Sequence, residues 1–130
     1  MDALYIVIPA YNEEANIEAV AREWHEVVRR TGPDSRLVIV DDGSRDGTLS
    51  ILEGLRDELP QLLPLTKPNA GHGPTLLFGY RYALDHGADY VFQTDSDGQT
   101  IPDEFWPFWE ARHDYDWQIG FRRRRQDGLS

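Results

Sequence analysis

The chain has 130 residues, 40% hydrophobic and 28% charged, which suits one soluble domain with a real core. It contains no cysteine, which excludes disulfides and thiolate metal sites and is compatible with a reducing compartment. A formal net charge of −10 excludes a general nucleic-acid surface, which needs a basic face, and no uninterrupted apolar run approaches the ~20 residues of a membrane span.

The first predicted element is a strand over Leu4 to Ile8, a continuous apolar run that Pro9 is expected to stop. Asn12 then reads as a helix N-cap, with Glu13 and Glu14 in the first turn. Ile17, Val20, Ala21, Trp24, Val27 and Val28 follow at helical spacing, and Gly32-Pro33 ends the helix. A second buried strand, Leu37 to Val40, runs into the turn Asp41-Asp42-Gly43-Ser44. The next helix starts near Thr48 and buries Ile51, Leu52, Leu55 and Leu59. Leu62 to Leu65 is a weaker strand that Pro64 assigns to a sheet edge. Lys67 to Gly73 reads as loop, and Lys67 is the single lysine of the chain. Leu76, Leu77, Tyr80, Ala83 and Leu84 mark a third helix, closed by Gly87.

Tyr90 to Phe92 is the next strand, and it ends in Asp95-Ser96-Asp97-Gly98-Gln99. Two hard carboxylate ligands two residues apart, followed by an amide oxygen, suit Mg2+ or Mn2+. Pro102 opens a further helix whose aromatics, Phe105, Trp106, Phe108 and Trp109, read as core. Trp117 to Gly120 is expected to form a fifth strand. Arg122 to Arg125 follow as a charge cluster that could meet phosphates or an anionic membrane surface.

The order β-α-β-α-β-α-β with continuous apolar strands predicts a three-layer α/β sandwich around a mostly parallel sheet. Right-handed crossovers give the strand order 3-2-1-4 if the fourth strand returns beside the first. The switch point then lies between strands one and four, where ligands of such sheets bind outside the carboxyl ends. Residues 9–14, 41–44 and 95–99 would converge there.

IVIPAYNEE (6–14), VIVDDGSRDGT (38–48), NAGHG (69–73) and TDSDGQ (94–99) stand in the order and spacing of family 2 nucleotide-sugar glycosyltransferases, which have the GT-A fold. The chain resembles the dolichol-phosphate mannose synthase-like branch in particular, through DSDGQ, Pro102 and Gly120-Phe121-Arg122. This resemblance implies a metal-dependent, inverting transfer of sugar from a UDP- or GDP-type donor to an acceptor, a polyprenyl phosphate or a glycan. It implies that Pro9, Tyr11 and Glu13 hold the nucleoside and that Asp42 contacts the base. It assigns Asp95 to ribose and metal, Asp97 and Gln99 to the metal, and Arg122 to the phosphates. The family's catalytic domain runs well past Ser130, so residues 1–130 are expected to hold the donor half without the acceptor half. No residue is a convincing base, and Asp127 is a candidate by elimination. A cytoplasmic location is expected, with membrane association of the intact protein left open.

Other readings of the same residues compete. Asp42, Ser44, Asp46, Gly47 and Glu53 fit the spacing of an EF-hand calcium loop, but a strand precedes them where a helix is required. Asp42 could also cap the following helix. A receiver-like signalling domain would use the acidic pair and Asp95, yet Lys67 lies upstream of that acceptor. A non-catalytic nucleotide-binding module is the remaining alternative.

Overall fold

A computed structural model describes residues 2–96 and 102–113, with the backbone of residues 117–118 and 121–123. Four parallel strands, β1 (Leu4–Ala10), β2 (Arg36–Asp41), β3 (Leu62–Thr66) and β4 (Tyr90–Gln93), carry the expected order 3-2-1-4. Two short strands, β5 (Trp117–Gln118) and β6 (Phe121–Arg123), extend the sheet beyond β4, giving the order β3-β2-β1-β4-β6-β5. β6 runs antiparallel to both of its neighbours. Of the fifth strand expected over Trp117 to Gly120, Trp117 and Gln118 are seen as β5, and residues 119–120 lie outside the described residues. Arg122 and Arg123, expected in a solvated charge cluster, lie on a strand beside β4.

Helices cover both faces. α1 (Ile17–Thr31), α2 (Thr48–Leu55) and α4 (Pro102–Glu110) pack on one face, and α3 (His72–Asp85) on the other. Successive residues of a strand point to opposite faces, so β1 sends Leu4, Ile6 and Ile8 into the first core and Tyr5 and Val7 into the second. Burial on both faces is why its sequence is continuously apolar. Each fully buried aliphatic side chain contributes roughly 1.5–3 kcal/mol. Trp24 joins α1 to α4 through an edge contact with Phe105 at 6.2 Å. Phe105 and Trp109 are buried, as the core reading expects, and Trp106 is roofed by the Arg30 guanidinium at 4.5 Å.

Three local expectations change. β1 does not stop at Pro9 but runs to Ala10, paired there with Asp41 of β2. Val7 directs its carbonyl toward the β4 side, accepting from Thr94 N, so Pro9, two residues on, faces the same side. β4 pairing has ended at Gln93 by then, and the missing N–H of Pro9 breaks no ladder. Helix α1 begins at Ile17, not after Asn12, and its N-cap position is Asn16. Asn12 takes a left-handed φ of 53°, which asparagine tolerates better than most residues. Finally, the buried face of α3 is Thr75, Gly79 and Ala83, while Leu77 is exposed. Small residues bring this helix close to the sheet. A Cβ on Gly79 would overlap the Val7 side chain.

Candidate functional site

The carboxyl ends of β1, β2 and β4 open into one crevice of about 440 Å³. The segment after β1 contributes Pro9, Ala10, Tyr11 and Glu13, and that after β2 contributes Asp42. Asp95 and Ser96 follow β4. A fourth wall is the start of α3 and the loop before it, with Asn69, Gly71, His72 and Thr75. Five residues named from sequence therefore meet: Pro9, Tyr11, Glu13, Asp42 and Asp95. Asp97, Gln99 and Asp127 lie outside the described residues, as does the side chain of Arg122. Among the described residues, no group of three or more His, Asp or Glu side chains forms a metal cage.

Two turns are clasped to each other on the rim. Asn12 N donates to Ser44 Oγ at 2.9 Å, and Arg45 N returns a bond to Asn12 Oδ1 at 2.8 Å. Glu13 N donates to Thr48 Oγ1 at 2.8 Å, and Glu14 N to Asp46 Oδ2 at 3.2 Å. Gly47 N donates to Glu14 Oε1 at 2.7 Å. Asn12, Glu13 and Glu14 thus serve an interlock between turns that a helix cap reading does not contain. Glu13 also accepts from Ser96 Oγ at 3.1 Å, tying the end of β4 to the end of β1.

The acidic pair divides its work. Asp41 is buried and accepts from Thr66 Oγ1 at 3.0 Å and from Ser44 N, so it shapes the turn. Asp42 turns toward the loop before α3. Its carboxylate receives Lys67 Nζ at 2.9 Å, Ala70 N at 2.9 Å, Gly71 N at 3.0 Å and Asn69 Nδ2 at 3.2 Å. Burial pushes its pKa up, but the hydrogen bonds from Lys67, Ala70 and Gly71 outweigh that and hold it below the usual carboxylate range. Gly43 seals the contact. Its φ is +68°, and an added Cβ would lie 2.6 Å from Asn69 N.

These bonds also dispose of two competing readings. Asp42 bonds the 67–71 loop while Ser44 and Asp46 bond residues 12–14 after β1, so their oxygens do not converge as an EF-hand loop requires. A receiver has the doubly wound order 2-1-3-4-5, whereas this sheet reads β3-β2-β1-β4. The NAGHG motif (69–73) was visible in the sequence, but the bonds that Lys67, Asn69, Ala70 and Gly71 make to Asp42 were missed. The signal available was Lys67, the single lysine of an acidic chain, whose partner lies 25 residues away.

A mostly parallel 3-2-1-4 sheet between helix layers, with acidic turns on a crevice at its switch point, defines a GT-A type of α/β domain. The profile described as Glycosyl transferase family 2 matches residues 5–129, and the chain belongs to that family. It is 32% identical to an undecaprenyl-phosphate 4-deoxy-4-formamido-L-arabinose transferase of Pseudomonas paraeruginosa, over 98% of this chain and 38% of that protein. It is 30% identical to an undecaprenyl-phosphate mannosyltransferase of Micrococcus luteus, over 90% of this chain and 47% of that protein. The chain therefore spans less than half the length of these relatives. Among solved structures, a mannosyltransferase from Pyrobaculum calidifontis in complex with GDP-Man and Mn2+ aligns with a TM-score of 0.55 and 26% identity, over 72% of this chain and 27% of that one. S. aureus TarS 1-349 shares the fold, with a TM-score of 0.63 and 23% identity, over 86% of this chain and 32% of that one. Among the described residues, no helix is long and apolar enough to cross a membrane.

Proposed function

We propose that residues 1–130 are the donor-binding half of a metal-dependent, inverting glycosyltransferase. The reaction moves a sugar from a nucleoside-diphosphate sugar to a polyprenyl phosphate. The convergence of Tyr11, Glu13, Asp42 and Asp95 on one crevice at the switch point carries this reading. The relatives named for undecaprenyl phosphate support the acceptor. The mannosyltransferase complex with GDP-Man and Mn2+ supports the donor type and the cofactor.

Pro9, Tyr11 and Glu13 hold the nucleoside. Tyr11 lines the crevice and is 43% exposed, so an aromatic side chain is available there to a nucleoside. Asp95 fits a hard divalent cation, because its exposed carboxylate lines the crevice and makes no hydrogen bond among the described residues. Asp97 and Gln99 would complete the ligand set, and Arg122 would meet the phosphates. A Mg2+ or Mn2+ ion bound there supplies Lewis-acid stabilisation of the departing nucleoside diphosphate. A polyprenyl phosphate oxygen is already a nucleophile and needs no dedicated base. A hydroxyl acceptor, as on a glycan, would need one, and Asp127 is the candidate in this chain. With a polyprenyl acceptor, the whole protein works at a membrane surface.

Calorimetry with UDP, GDP and their sugars, with and without Mn2+, tests the reading. Binding that Mn2+ strengthens is expected, and Asp97→Ala should lose that gain. Equal Mn2+-dependent affinity in Asp97→Ala and wild type removes Asp97 from the metal site. Failure of every nucleotide to bind in either condition refutes the donor site.

A further inference from the structure

We propose that Ser96 and Glu13 are positioning residues for the cation: the bond between them fixes the turn after β4, so that Asp95 is already in place when a nucleoside diphosphate and its metal arrive. The inference deepens the nucleotide-sugar reading and rests on it. The pairing of β4 with β1 ends at Gln93, and Thr94 N adds a last main-chain bond to Val7 O at 3.2 Å. Beyond it, among the described residues, residues 95–96 make a single hydrogen bond, from Ser96 Oγ to Glu13 Oε2 at 3.1 Å. The two neighbours differ in exposure. Asp95 is exposed on the crevice, whereas Ser96 is 5% exposed. A hydroxyl taken that far out of water costs stability unless it is bonded, and Glu13 is its partner.

Glu13 is fit to be the fixed end of this bond. Its N donates to Thr48 Oγ1 at 2.8 Å, at the start of α2. Its carbonyl accepts from Asn16 N at 2.9 Å and Ile17 N at 2.8 Å, at the start of α1. Thr48 is buried, and its own N donates to Asp46 Oδ1 at 3.0 Å. The main chain of Glu13 is therefore fastened to the walls after β1 and β2, and its side chain carries that fixity to the wall after β4. Consecutive Cα atoms are about 3.8 Å apart, so a bond that pins Ser96 also confines Asp95. A ligand carboxylate that is ordered only on binding loses affinity to that ordering, and one already held does not. The family resemblance gives Glu13 to the nucleoside. That role can fall to Oε1, whereas the bond to Ser96 occupies Oε2. Ser96 carries no charge, so its removal leaves every carboxylate of the crevice in place.

The test is calorimetry on the 130-residue chain with UDP, GDP, uridine and guanosine, in Mn2+ and in EDTA. The Mn2+ gain is the ratio of diphosphate affinity in Mn2+ to that in EDTA. In Ser96→Ala this gain should fall by about tenfold, while nucleoside affinity changes by less than about twofold. A general loosening of the fold would weaken both. A Ser96 that instead ligated the cation directly would cost as much to remove in a Glu13→Ala background. Acting through Glu13, Ser96→Ala should change the gain by less than about twofold in that background. Should a thermal melt show that Glu13→Ala does not fold, Glu13→Met takes its place. A Ser96→Ala gain equal to that of the wild type overturns the proposal, as does an undiminished effect of Ser96→Ala in a folded Glu13 variant. A wild type that binds a diphosphate with no Mn2+ gain overturns it too. Binding of no diphosphate by the wild type in either condition overturns the donor-site reading itself, and this proposal with it.

Discussion

Lys67 and Asp42 form the one ion pair among the described residues whose two side chains are both nearly buried. Removing one partner of such a pair costs more than the pair is worth, because the other charge stays behind in a poor solvent. Here three further hydrogen bonds to Asp42 would remain, which limits the loss. Lys67→Met is therefore expected to destabilise the fold by about 2 kcal/mol. Asp42→Asn combined with Lys67→Met should cost less than the sum of the two single changes, since the neutral pair strands no charge. Urea unfolding of the four proteins measures this, and strict additivity would mean that the two groups are uncoupled. At this scale the sequence was only half legible. The acidic pair was visible as DD, but which acid faces the crevice depends on the 67–71 loop, far along the chain. Lys67 stood out by rarity alone, and nothing local to it names Asp42.

The elements were legible where burial on both faces writes a continuous apolar run, as in β1, β2 and β4. They were misread where packing uses small residues. A search for apolar residues at helical period finds Leu76, Leu77, Tyr80, Ala83 and Leu84 on α3; Ala83 is buried and Leu76 and Tyr80 pack against that core, but Leu77 is exposed, and the buried Thr75 and Gly79 are missed. Gly79→Ala tests that closeness. Helix propensity favours alanine by about 1 kcal/mol, yet the new methyl would collide with Val7. A net loss of about 1–2 kcal/mol is expected from overpacking, and Val7→Ala should recover much of it in the double variant. A net gain in thermal stability from Gly79→Ala alone would show that α3 has room to lift.

The edge strand β3 is protected in a similar way by its sequence. Lys67 N and Gln61 O bond toward β2, so Pro64, three residues from each, faces outward. Its missing N–H lies on the free edge, which leaves less for another chain to pair with. Immediately before the same strand, Gln61 fastens α1 to the sheet. Its Nε2 donates to Gly32 O at 2.9 Å and Ser35 O at 2.8 Å, and its backbone N donates to His25 Nε2 at 3.2 Å. Burial pushes the pKa of His25 down, and the acceptor role of Nε2 requires the neutral ring. The unfolded state then takes up a proton near pH 6.5 that the folded state refuses. Stability contributed by this histidine is present above about pH 6.5 and falls as the pH drops below it. Urea midpoints between pH 7.5 and 5.5 should decline in the wild type and decline less in His25→Gln, which abolishes the titration. Equal slopes would remove His25 as the cause.

For the whole molecule, a net charge of −10 and an acidic crevice make a diphosphate ligand an electrostatic problem that the fold alone does not solve. Topology was the part of the site legible from sequence, because right-handed crossovers and the 3-2-1-4 order bring the turns after β1, β2 and β4 together whatever their side chains do. The balance of charge inside the crevice was not legible, since it depends on which acids are already neutralised. Among the described crevice acids, Asp42 is paired with Lys67, whereas Glu13, with only a neutral hydroxyl on one oxygen, and Asp95 keep their charge. A phosphate placed near an unneutralised carboxylate, at about 4 Å and an effective dielectric of about 20, is opposed by about 4 kcal/mol. A divalent cation between them reverses the sign, and a ligand without phosphates needs no such help. Removing divalent cations with EDTA is therefore expected to weaken UDP or GDP binding by about 100-fold while leaving uridine or guanosine unchanged. Calorimetry on the nucleoside and the diphosphate side by side separates the two terms. If EDTA weakened both equally, the cation would be supporting the fold of the crevice rather than the phosphates. If it weakened neither, Asp95 would not be acting through a metal.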